Sequence, residues 1–122
     1  MRTGKLILLS LLGIAAALAQ GNRGTITGTV TDPAGAVVAG AAVEGKGVET
    51  GAVFATVSTE TGNYTIAELP PGNYEVSFTA PGFKKLVRGP LEVGARQTLR
   101  IDGALAVGTA AESITVTDAA PL

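Results

Sequence analysis

The sequence predicts an all-β fold, a sandwich of seven or eight short strands, and three observations carry that expectation. Apolar and polar residues alternate in several short runs, the period-two signature of half-buried strands. Gly, Pro, Asn and Asp recur between these runs, at the roughly 8–12-residue spacing of sandwiches and small barrels. No stretch after residue 20 keeps an apolar helical period over a useful length.

The chain opens on a segment distinct from that fold. Arg2 and Lys5 precede an almost wholly apolar run from Leu6 to Ala17, and Ala17-Leu18-Ala19 supplies the small-x-small pattern read by signal peptidase. Residues 1–19 are therefore expected to be a signal peptide, cut before Gln20, with 20–24 a short leader. The run is shorter than the ~20 residues that span a bilayer, and no Cys near the cut offers a lipid anchor. The mature chain, about a hundred residues, is one domain able to bury about two-thirds of its unfolded surface.

Each expected element follows from local pattern. Thr25 to Thr31 puts Ile26, Gly28 and Val30 on one face and four threonines on the other. Asp32-Pro-Ala-Gly35 closes it, with the Asp32 side chain capping its own loop. Ala41 to Val48 is expected to be a locally weak strand, thinned by Gly45 and Gly47, and Glu49-Thr-Gly51 turns it back into Ala52 to Thr59. After the turn Glu60-Thr-Gly-Asn63, Tyr64 to Glu68 alternates until Leu69-Pro-Pro-Gly72 stops it. Tyr74 to Ala80 is the clearest strand, with Tyr74, Val76 and Phe78 inward and Glu75, Ser77 and Thr79 outward. Pro81-Gly82 breaks it; Phe83 to Arg88, Leu91 to Val93, a long strand near Gln97 to Val107, and Glu112 to Thr117 complete the set. The sandwich is placed at 25–107 and a tail at 108–122.

Composition narrows function mainly by what is missing. With 10 acidic and 9 basic residues, two of the basic ones in the expected signal peptide, the domain is mildly acidic and has no electrostatic reason to bind nucleic acid. It contains no His and no Cys, which removes Ser-His-Asp and Cys-His catalysis and the usual zinc sites. A small exported domain without disulfides also points to a bacterial envelope protein that stands on its hydrophobic core. Ser58, Ser77 and Ser113 lack a recognisable base, the carboxylates show no metal-loop spacing, and no glycine motif opens a helix for a nucleotide. No catalytic residue, cofactor or metal is expected. Of five aromatics, Tyr64, Tyr74 and Phe78 fall on inward positions, leaving Phe54 and Phe83 as the candidate exposed rings.

Four stretches together resemble the carboxypeptidase regulatory-like domain, a transthyretin-like (prealbumin-like) sandwich also grouped with carbohydrate-binding-like folds. They are Gly28-Thr-Val-Thr-Asp-Pro-Ala-Gly-Ala-Val-Val-Ala-Gly-Ala41, Thr59-Glu-Thr-Gly-Asn-Tyr64, Leu69-Pro-Pro-Gly-Asn-Tyr-Glu-Val76 and Ala80-Pro-Gly-Phe83. The match spans about Thr25 to Leu105 and speaks to fold more than to chemistry. A signal peptide, this domain and a tail ending Glu112-Ser-Ile-Thr-Val-Thr-Asp-Ala-Ala-Pro-Leu122 also resemble the N-terminus of Oar-like TonB-dependent outer-membrane proteins, where the sandwich precedes a plug and a barrel.

That resemblance implies a non-catalytic envelope module, periplasm-facing at the outer membrane, with TonB or the receptor's plug and barrel as partners. Ile114, Thr115, Val116 and Thr117 resemble a TonB box, an extended segment that pairs with an edge strand of TonB. The same residues read equally as the last strand of the sandwich. The family's other associations imply the alternatives: a secreted or surface carbohydrate-binding-like module with a polysaccharide partner, or a purely structural sandwich.

Overall fold

The computed structural model describes residues 21–117; the expected signal peptide and the residues after 117 lie outside the described residues. Among the described residues nine strands follow one another: β1 (Gly24–Thr31), β2 (Ala42–Gly47), β3 (Val53–Val57), β4 (Asn63–Leu69), β5 (Gly72–Thr79), β6 (Lys85–Val93), β7 (Thr98–Arg100), β8 (Gly103–Ala104) and β9 (Ser113–Val116). No helix occurs among the described residues. One sheet has the order β4-β1-β7 with β8 also on β1, and the other runs β3-β2-β5-β6-β9. The chain therefore leaves the larger sheet after β6, lays β7 and β8 parallel to β1, and returns to add β9 parallel to β6.

Alternation decides which side chains meet between the sheets. Ile26 and Val30 from β1 are fully buried, as are Val43 from β2 and Val76 and Phe78 from β5. Burying a side chain of this size contributes roughly 1.5–3 kcal/mol. Tyr64 and Phe78 come from opposite sheets and pack edge to face, with ring centroids 5.4 Å apart. The buried Tyr64 hydroxyl donates to the Ile101 carbonyl, which spares it an unpaired polar group in the core.

Turn chemistry works as the residues dictate. Asp32 Oδ1 accepts the backbone N–H groups of Ala34 and Ala36, both at 2.9 Å, and Gly35 takes φ 85°. Ser58 is buried, its hydroxyl donating to Val38 O at 2.7 Å and accepting from Ala41 N–H at 2.8 Å. It therefore ties two loop ends together.

Two local readings change in the folded chain. Phe83–Arg88 and Leu91–Val93 are not separate strands: β6 runs unbroken from Lys85 to Val93. Gly89 and Pro90 are absorbed opposite the single residue Glu75, since Tyr74 pairs with Leu91 and Val76 with Arg88. Such a bulge interrupts pairing without ending the strand. The long strand expected over Gln97–Val107 is instead divided into β7 and β8. At the break, Asp102 Oδ1 accepts the Thr29 N–H at 2.9 Å, so a side chain replaces the ladder's backbone acceptor. The strand thinned by Gly45 and Gly47, β2, is an inner one paired with both β3 and β5. A Cβ on Gly45 would meet the tip of the Ile66 side chain at 3.4 Å.

Candidate functional site

Ile114, Thr115 and Val116 lie on β9, and Thr117 follows immediately as an exposed residue. The strand sits at the edge of the larger sheet, with Ser113 through Val116 opposite Lys85 through Arg88. Only one side of β9 faces β6; among the described residues no strand lies along the other side, the edge geometry that β-augmentation uses. Ile114 and Val116 share the face of Leu86, while Ser113 and Thr115 point to the opposite face. Even so Ile114 is 37% and Val116 41% exposed, against 6% for Leu86. Val116 closes one side of a shallow cavity of about 170 Å³ shared with Leu86, Arg88, Asp102 and Ala104. On its floor Arg88 donates from Nη1 to the Asp102 carbonyl at 2.8 Å.

Besides its pairing with β6, β9 is held by the residues before it. Gly108 N–H donates to Gly82 O, Lys84 N–H to Ala106 O, and Lys85 N–H to Glu112 O, so residues 106–112 run back along 82–85. Thr109 and Glu112 close a turn: Glu112 N–H donates to Thr109 O at 3.0 Å, and Thr109 N–H to Glu112 Oε1 at 3.2 Å. Lys84 Nζ adds an ion pair to Glu112 Oε2 at 3.4 Å. The Thr109 backbone bond first, and the Lys84 charge second, hold the Glu112 carboxyl below its ordinary range. The Thr-x-x-Glu spacing was readable as a capping pair, but its partner Lys84 lies too far away in sequence for any local pattern to supply it.

Ser77 is half-buried on β5 and Ser113 exposed on β9. Among the described residues no three His, Cys, Asp or Glu side chains gather to hold a metal ion. Tyr64, Tyr74 and Phe78 are buried, and Phe54 and Phe83 are half-buried against the core, so neither stands free as a platform for stacking a sugar. Burial pushes the Tyr64 phenol far above its ordinary value, keeping it a neutral donor.

Comparison with known proteins agrees with this architecture. Over 98% of its length the chain is 33% identical to the TonB-dependent transporter Oar of Myxococcus xanthus, and it spans 11% of that protein. Among solved structures it resembles the TIE protein of Bacillus anthracis (TM-score 0.57, 18% identity, 70% of this chain and 17% of that one). It also resembles BcpA, the major pilin subunit of Bacillus cereus (TM-score 0.56, 21% identity, 71% of this chain and 31% of that one). At such identities the two structures speak to the fold alone. Residues 25–106 match the carboxypeptidase regulatory-like domain, and the chain belongs to that family.

Proposed function

We propose that the chain is a non-catalytic interaction module of the bacterial envelope, working as the periplasm-facing domain of an Oar-like TonB-dependent transporter. The observation that carries this reading is the 33% identity to Oar across nearly the whole chain. The partner surface is Ile114 to Thr117. TonB adds a strand beside it through main-chain hydrogen bonds, and the β-branched side chains of Ile114, Thr115 and Val116 favour the extended conformation this needs. Export by a signal peptide over residues 1–19 completes the proposal.

Amide hydrogen exchange, with the chain alone and with the C-terminal domain of TonB, tests it. Added protection confined to residues 113–117 and their neighbours supports the assignment. An exchange map unchanged by TonB at saturating concentration removes Ile114–Thr117 as the contact.

A further inference from the structure

A second feature is independent of β9. Gly72 and Tyr74 pair with Val93 and Leu91, at the far end of β6 from the residues that carry β9. There the turn between β2 and β3 and the turn between β4 and β5 enclose a cleft of about 170 Å³. Phe54, Tyr74, Pro70 and Pro71 give it apolar walls. The Phe54 and Tyr74 rings meet edge to face with centroids 6.2 Å apart, and the Tyr74 hydroxyl donates to the Pro70 carbonyl, which fixes that ring in place.

One carboxylate stands at the rim. Glu49 Oε1 accepts from Asn73 Nδ2 at 2.8 Å. Its other oxygen faces the space left by a glycine: a Cβ on Gly72 would lie 3.9 Å from Glu49 Oε2 and 4.0 Å from Tyr74 Cε2. The gap between carboxylate and ring is therefore open because residue 72 has no side chain. We infer that this cleft receives a lysine side chain of a partner protein, the butylene stem against Phe54, Tyr74 and the prolines and the ammonium on Glu49 Oε2. A carboxylate beside apolar walls suits a cation on an apolar stem, and aromatic rings add attraction for an ammonium within about 6 Å. The Asn73 bond holds Glu49 below the ordinary carboxylate range and so keeps it charged. Arg23 exerts an opposing field on Tyr74, smaller than the effect of burial there.

The test is an NMR titration of the ¹⁵N-labelled chain with Nα-acetyl-lysine methylamide, and with the norleucine analogue, which keeps the stem and lacks the ammonium. The lysine probe should shift the amides of Gly47, Gly72 and Asn73 with a Kd of about 10 mM, and norleucine should bind about tenfold more weakly. Glu49→Gln should bring lysine down to the norleucine level. Gly72→Ala should weaken both probes: its Cβ finds only ordinary contacts and the backbone there is not left-handed, so the fold is kept. Equal affinity for the two probes, lysine binding untouched by Glu49→Gln, or no shift at these amides would overturn the assignment. None of these outcomes depends on whether TonB pairs with β9.

Discussion

At the residue scale, two kinds of position bear most on this fold, and they differ in how openly the sequence declares them. Asp32 announces its turn because its bonds reach only two and four residues ahead. Gly28 does not, because its reason is distant: a Cβ there would sit 2.0 Å from the Ile101 carbonyl oxygen, where the chain passes alongside β1. Gly28→Ala should therefore cost roughly 1–3 kcal/mol, since backbone has to move. Chemical denaturation measures it, and a loss below about 0.5 kcal/mol would show the passage to be slack. Tyr64 offers a pH test. Burial raises the folded pKa of its phenol above the ordinary 10.0, so its contribution is fully present below pH 10.0 and is lost as pH rises beyond it. Ultraviolet titration should show one tyrosine ionising only as the protein unfolds in alkali; ionisation of both tyrosines before unfolding would place the Tyr64 ring in contact with water.

At the element scale, β9 is the strand that local pattern left between two identities, a free pairing segment or a last strand. Its β-branched residues suit either, and composition alone does not separate them. Among the described residues it is the last strand, at the edge of the larger sheet, paired with β6 and preceded by a turn closed through Glu112. Because Glu112 titrates below its ordinary 4.5 in the fold, its contribution is present above pH 4.5 and is lost as pH falls through that lower value. The group is exposed, so the effect belongs to β9 and not to the core. Acidification should shift the Ile114 methyl signals toward random-coil positions while the Phe78 ring signals stay dispersed. A concerted change of both would tie β9 to the core instead.

At the scale of the whole molecule, the buried apolar residues run from Ile26 to Leu105, and none comes from β9. A chain ended after Val107 should therefore still unfold cooperatively, with a stability loss of about 1–2 kcal/mol from the missing edge strand. It should also self-associate, because the edge of β6 would stand open and Leu86 would lose its cover. Differential scanning calorimetry and light scattering check the two halves of this expectation. A truncated chain that fails to fold would mean that β9 belongs to the folding unit.

The sequence by itself determined the all-β class, the inward faces of β1, β4 and β5, and the positions of the turns, because alternation and turn chemistry act over a few neighbouring residues. It also carried the family, through four spaced motifs that the matched region 25–106 contains. Tertiary structure alone decided that Gly89-Pro90 is a bulge within β6, that Asp102 divides the expected long strand, and that β2 is an inner strand. It alone placed Lys84 on Glu112 and opened a cleft over Gly72. Each of these depends on which strand lies beside which, and that pairing is set by burial between distant segments, beyond the reach of any local window.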